Sequence, residues 1–427
     1  MTTGKKCELL APAGNMDKLK AAVHYGADAV YLGGREFSLR SRAGNFSTRE
    51  LVDAIGFAHA NSVKVYVTVN IFAHNRDLGP VAEYLEFLAA SGADALIISD
   101  PGVLRLARRH APNMPVHLST QANTVNSSSV LFWQEMGVRR VNLARELGID
   151  EIRAIREVSD IELEVFVHGA LCISYSGRCM LSLYLTGRDA NQGNCAHPCR
   201  YRYRLEESKR PGEFFPVEED GRGVYIFNSK DLCLAGRLPE IVAAGVDSIK
   251  MEGRMKGIYY VAGVTRAYRA ALDFALAAGW SPDTPVRVPD EIMNELSTLG
   301  SRGYTENFFN SPPDREDMLY AGPDIDQTWI PAGTVTGVME DGRAVVKVGS
   351  IIRQGDLLEY MHRRIAQTPF RVVEVRDHDG NILEQASGGE EVILLARRAD
   401  GGEPVPWRSH GLIRRRPPER VDRGRGY

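Results

Sequence analysis

No apolar run in these 427 residues approaches the ~18 that a membrane-spanning helix needs. Glu8 and Pro12 interrupt the short apolar stretch behind Lys5 and Lys6, so it is too short for an export signal. The expectation is a cytoplasmic chain with no membrane partner. An excess of charge of either sign is also lacking: the formal net charge is −3, which argues against binding nucleic acid through bulk basicity but leaves room for a local patch. Three signatures are missing as well, namely a Gly-rich dinucleotide fingerprint, an H-E-x-x-H zinc-protease pair and a G-x-S-x-G nucleophile elbow. What remains is a globular composition, 44% hydrophobic and 25% charged, with length for one large domain and one small one.

The first two-thirds of the chain repeats one pattern. Apolar runs of strand length occur at Glu8–Ala13, Ala29–Gly33, Lys64–Asn70, Ala95–Asp100, Pro115–Thr120, Arg140–Ala144, Glu162–His168 and Ser248–Glu252. Helix-length amphipathic segments separate most of them, such as Met16–Tyr25, Arg49–Ala60, Val81–Ala90 and Ile149–Val158. The joints rhyme: Gly26-Ala-Asp-Ala-Val, Gly92-Ala-Asp-Ala-Leu, Gly137-Val-Arg-Arg-Val and Gly245-Val-Asp-Ser-Ile. A glycine there ends a helix in the left-handed conformation and releases the chain into the next strand. Eight such units predict a TIM-like (β/α)8 barrel over residues 1–280, with an open doubly wound sheet as the alternative.

The spacing breaks between Gly169 and Lys230, where about sixty residues replace the usual short loop. This cysteine-rich insertion, at about 170–229, follows a strand C-terminus, the end at which barrel enzymes build their sites. Pro282, Pro285 and Pro289 mark a linker, with a helical segment, over 281–330. Beyond it, over 331–427, five short strands at Gly333–Val338, Arg343–Val348, Asp356–Met361, Phe370–Val375 and Glu391–Leu395 predict a small β-barrel domain.

Cysteine is sparse, six in all, but four fall between Cys172 and Cys199. In a long cytosolic chain such clustering points to metal or redox chemistry rather than structural disulfides. Structural zinc favours paired tight knuckles, and only Cys195-Ala-His-Pro-Cys199 has that spacing. Wider spacing across separate loops suits an iron–sulfur cluster, [4Fe-4S] by ligand number. The expected ligands are Cys172, Cys179, Cys195 and Cys233, with Cys199 as the alternative ligand; Cys7, at the start of the first strand, reads as core.

The run from Glu164 to Ser182, with Phe166, Gly169, Ala170, Cys172, Gly177 and Cys179 in place, resembles the signature of the collagenase-like peptidase family. Leu9–Gly14, Ala29–Gly33, Ser119–Asn123, Asn228–Asp231 and Lys250–Arg254 extend the resemblance across the whole barrel. Members of that family hydroxylate quinone precursors, ribosomal RNA or transfer RNA without oxygen. Length, the run Cys172–Cys179 and the insertion Arg188–Cys195 are most similar to the branch that forms 5-hydroxyuridine at the tRNA wobble position with dependence on prephenate. The resemblance implies an iron–sulfur enzyme with tRNA as partner and prephenate, a small dicarboxylate, as co-substrate. Peptidase activity is the rival reading, with Cys172 and His168 as its candidate pair. Hydroxylation of another substrate and a non-catalytic RNA-binding protein are further rivals.

Polar residues at the expected strand C-termini make up the candidate site. Arg40, Arg42, Asn70, Gln121, Asn123, Asn142, Arg145 and Glu146 are candidates for substrate binding, the arginines because a guanidinium holds a carboxylate bidentately. His168, Glu252 and Arg254 are the catalytic candidates, each also readable as a rim hydrogen-bonding residue. Two basic clusters, Arg200-Tyr-Arg-Tyr-Arg204 and Arg414-Arg-Arg416, are candidates for RNA contact or, equally, solvated faces.

Overall fold

Eight parallel strands close on themselves: Glu8–Pro12, Ala29–Gly33, Lys64–Val69, Ala95–Ile98, Val116–Leu118, Arg140–Asn142, Glu162–Ala170 and Ser248–Met251. The eighth pairs with both the first and the seventh, which completes the expected (β/α)8 barrel. The computed structural model describes residues 7–39, 44–171, 174, 179–200, 202–203, 219–220, 223–225, 230–311 and 328–416.

Local chemistry sets the alternation. Side chains of Asn15, Ser47, Asp100 and Asn126 each accept a backbone N–H in the first turn of the following helix, which satisfies a donor that the helix leaves orphaned. At the far ends, the joint glycines turn the chain back, as at Gly92 with φ of +85°. Outward-facing strand residues join the helices in the main core.

The barrel interior is divided. Leu10, Ala29, Tyr31, Tyr66, Ala95 and Ile97, from the first four strands, form an apolar inner cluster. The other four strands point His117, Arg140, Glu164 and Lys250 inward, all buried. Arg140 reaches Glu8 at 2.6 Å, Glu162 at 2.7 Å and Glu164 at 3.3 Å, while Lys250 Nζ lies 2.9 Å from Glu164 Oε1. Burial opposes ionisation of Glu164, but the two cations hold its carboxyl below the ordinary range.

The seventh strand outruns the barrel. Its register against the eighth becomes irregular beside Lys250 and Met251, and its end pairs antiparallel with Asp231–Cys233. Gly169 stands there at φ +105°, and a β-carbon on it would meet the Glu252 carbonyl oxygen at 2.6 Å. The segment behind the long helix Ile258–Ala278 is packed onto the barrel: Val288, Ile292, Leu296, Leu299 and Phe309 join the main core.

The C-terminal domain is a closed antiparallel barrel of six strands, Ile330–Val338, Ala344–Val348, Leu357–Met361, Gln367–Arg376, Glu391–Arg398 and Leu412–Arg415. The sixth has no counterpart in the sequence reading, because its arginines mask a strand. Arg414 is 2% exposed. Its guanidinium meets Glu295 at 3.1 Å and Glu359 at 3.1 Å, and lies over the Trp329 ring. It therefore ties the small domain to the barrel flank rather than offering charge to RNA. Tyr25 does the same from the first helix, donating to the Met361 carbonyl and accepting from Leu412 N–H.

Candidate active site

A cavity of about 380 Å³ opens at the C-terminal mouth of the barrel. Its floor comes from within the strands: Tyr31, Thr68, Ile97, Asn142, Phe166 and Lys250. Its rim comes from the loops beyond, including Asn70, Gln121, Arg145, Glu252, Arg254 and Lys256. Cys179, Cys195 and Cys199 line the same space from the insertion.

Several of these groups are held in place. The Arg254 guanidinium is buried and donates to Ser38 at 2.9 Å, Thr68 at 3.1 Å and Asn45 at 2.6 Å. Asn70 accepts from Leu39 N–H and donates to Gln121 Oε1 at 2.8 Å, which also accepts from Ser119. Arg145 covers the Phe166 ring at 4.1 Å and donates to the Ala170 carbonyl. Lys250 stands 4.7 Å from the centre of the Tyr31 ring; burial lowers its pKa, and Glu164 opposes that shift. Four cations and one carboxylate, Glu252, line the cavity; Lys250 is paired with Glu164 and Lys256 lies 4.0 Å from Asp231, so Arg145 and Arg254 supply most of the positive charge offered to an anion.

The cysteines divide. Cys195 Sγ accepts from His197 N–H at 3.3 Å, and Arg188 donates to the Cys195 carbonyl, so that loop is ordered around its sulfur. Asn191 holds both backbone polar groups of Cys179. Cys233 lies elsewhere: its backbone pairs with His168, it is absent from the cavity wall, and the Tyr268 hydroxyl points at its sulfur from 3.8 Å. Burial pushes its thiol pKa up. Cys7 is buried, its thiol pushed up to about 12, as a core position requires. Among the described residues no three ligating side chains are gathered closely enough to hold a metal ion as they stand. Cys172 lies outside the described residues, as do Arg40, Arg42 and the side chains of the Arg200–Arg204 run.

Of the expected site residues, Asn70, Gln121, Asn142, Arg145, Glu252 and Arg254 meet on the cavity. Asn123 and Glu146 do not line it. Asn123 instead ends a single 3-10 turn in the left-handed conformation. His168 also stands apart. The register irregularity faces it toward Tyr268, and the rings of Tyr260, Tyr268 and Tyr304 surround it at 5.2–5.8 Å. Burial lowers its pKa to about 3, so it is neutral. Two charged cavity residues, Lys256 and Lys250, were not among the sequence candidates, and Lys250 was the more legible. The available signal was a lysine between two apolar residues of a buried strand, where only an internal partner tolerates charge.

These features define a (β/α)8-barrel protein with a cationic, thiol-lined cavity at the catalytic end. The chain belongs to Peptidase family U32, which it matches over residues 14–319. Its relatives include tRNA hydroxylation protein P1 of Bacillus subtilis (strain 168), 40% identical over 383 residues and 90% of each chain. Another is tRNA hydroxylation protein P of Escherichia coli (strain K12), 41% identical over 91% of this chain and 93% of the relative. A third, the 23S rRNA 5-hydroxycytidine C2501 synthase of the same organism, is 35% identical over 74% of this chain and 44% of its own length. Among the described residues no helix is long and apolar enough to cross a membrane.

Proposed function

We propose that this chain is an RNA-hydroxylating enzyme that forms 5-hydroxyuridine at the wobble position of tRNA, with prephenate as co-substrate and a [4Fe-4S] cluster as cofactor. The observation that carries the reading is the cavity itself: three thiols and four cations face one space at the barrel's catalytic end, in a chain similar along nine-tenths of its length to proteins named for tRNA hydroxylation. The donor set fits the cofactor by chemistry, since thiolates are the ligands of iron–sulfur clusters. Cys172, Cys179 and Cys195 supply three ligand places in this reading. The fourth falls to Cys199, which shares the cavity wall, or to Cys233, which is anchored on the rigid barrel edge. When bound, such a cluster supplies one-electron transfer or a Lewis-acidic iron.

The protein's own groups then have defined tasks. Lys250 offers charge to a carboxylate of the small dicarboxylate from the floor, while Arg145 and Lys256 stand at the rim, where they can meet phosphate. Arg254, fixed by three hydrogen bonds, adds charge without having to reorganise. Tyr31, Ile97 and Phe166 give the floor apolar surface that a planar ring can lie against.

The test combines iron and sulfide analysis of anaerobically purified protein with nucleoside mass spectrometry in a strain lacking the gene. The wild type and Cys172→Ala, Cys179→Ala, Cys195→Ala, Cys199→Ala and Cys233→Ala are compared. The expected outcome is about four irons per wild-type chain, loss of iron in the four ligand variants only, and 5-hydroxyuridine restored by wild type alone among those five. Zinc or no metal, with unchanged nucleosides, would overturn the proposal.

A further inference from the structure

Among the described residues, Asn142 is a cavity side chain whose two polar atoms, Oδ1 and Nδ2, both lack a hydrogen-bond partner. It is 2% exposed and closes the sixth strand at the floor. Burying an amide without partners is costly, so a native protein keeps one where a ligand supplies them. The amides and hydroxyls nearby are already engaged: Gln121 accepts from Asn70 and Ser119, and Thr68 is tied to Ser38 and Arg254.

An amide orphaned at both ends restricts its ligand, and the RNA-hydroxylation reading narrows it to a pyrimidine. It needs a neighbouring donor and acceptor on one edge. A carboxylate offers acceptors alone and leaves Oδ1 unsatisfied. The edge of a pyrimidine that carries N3 and the 4-substituent offers one of each, in uracil as N3–H and O4. Geometry selects the same edge. In a pyrimidine, position 4 lies across the ring from N1, which bears the ribose. A floor residue that grips the 4-edge therefore leaves the sugar and phosphates at the mouth, where Arg145 and Lys256 stand. Tyr31 and Phe166 flank the floor with ring surface. Enzymes that act on a nucleobase read it in this way, with the base turned out of its stack into a pocket.

We infer that Asn142 is the base-reading residue of this cavity, holding the N3 and position-4 edge of a pyrimidine extruded into the barrel. The inference rests on the RNA-hydroxylation reading for its substrate and adds the residue that recognises it.

The test uses the full chain, purified anaerobically, and synthetic anticodon hairpins that differ at one position: uridine, 3-methyluridine or an abasic site. The wild type is expected to bind the uridine hairpin about tenfold or more tighter than the 3-methyluridine one, the size of one good base contact pair. Asn142→Ala should abolish that ratio while binding the abasic hairpin as the wild type does, which shows an intact fold and backbone grip. Asn142→Asp, isosteric but with acceptors only, should keep the N3 contact, lose the O4 contact and fall between the two. An Asn142→Ala protein that keeps the full ratio overturns the inference, even if it still hydroxylates RNA. A wild type that shows the ratio, lost in Asn142→Ala, yet forms no hydroxylated nucleoside, supports the inference and removes the reaction instead.

Discussion

Replacing Glu164 with glutamine asks whether charge balance or packing alone holds the barrel interior. Glu164 is 1% exposed and accepts from Lys250 at 2.9 Å and Arg140 at 3.3 Å. Arg140 stays paired in the variant, because Glu8 and Glu162 remain. Lys250 does not: among the described residues Glu164 is the sole carboxylate in ion-pair contact with it. The amide keeps the shape and removes the charge. Breaking one side of a buried pair costs about 3–5 kcal/mol, because the surviving ion is stranded. For a domain of barrel size that is a fall of roughly 10 °C in melting temperature.

The pH dependence gives the sharper signature. Burial already lowers the Lys250 pKa, and Glu164 works against that. Without Glu164 the folded value drops further, while the unfolded chain keeps an ordinary lysine near about 10.4. Between those two values the unfolded state binds more protons, so stability rises with pH. The Glu164→Gln deficit should shrink as the pH climbs toward about 10 and deepen toward neutrality, followed by thermal unfolding under circular dichroism. Adding Lys250→Met should recover most of the loss, since it removes the stranded ion. A variant as stable as its parent, a deficit that grows with rising pH, or a double variant worse than the single one would refute the reasoning.

Arg414→Ala should strand Glu295 only in part, since Arg266 also pairs with it at 2.8 Å, but should release Glu359; calorimetry should show the small domain melting apart from the barrel where the wild type unfolds in one step. Gly169→Ala should cost several kcal/mol, on the order of other core strain, because its β-carbon would sit 2.6 Å from the Glu252 carbonyl oxygen; a soluble variant with wild-type melting would contradict that contact. Tyr25→Phe removes two hydrogen bonds between barrel and small domain and should destabilise by about 1–3 kcal/mol, measured as a shift in melting temperature.

Much of the architecture was legible because it depends on local rules. Helix caps, joint glycines and apolar runs of strand length act over a few residues, so all eight barrel strands could be located from the sequence alone. Their parallel pairing followed from the helices between them. The position of the cavity was legible for the same reason: the insertion that carries the cysteines interrupts a regular repeat at the end where barrels build their sites. Asn70, Gln121, Asn142, Arg145, Glu252 and Arg254 could be named because each follows or closes a strand.

The rest was decided by packing. Which way His168 faces depends on one register irregularity between the seventh and eighth strands, which no local pattern encodes. Arg414 reads as surface charge until the sixth strand of the small barrel buries it against Glu295. Cys233 stands near the other cysteines in the chain but is held beside the seventh strand and off the cavity wall, because Asp231–Cys233 pairs with that strand's protruding end. Lys250 becomes a floor residue only when Glu164, eighty-six positions earlier, arrives to hold its charge. The sequence by itself determined the repeat, its caps and the chemistry available at its mouth, since those rest on short-range geometry and residue type. Tertiary structure alone decided which groups share a cavity, since burial and pairing are properties of residues brought together from distant parts of the chain.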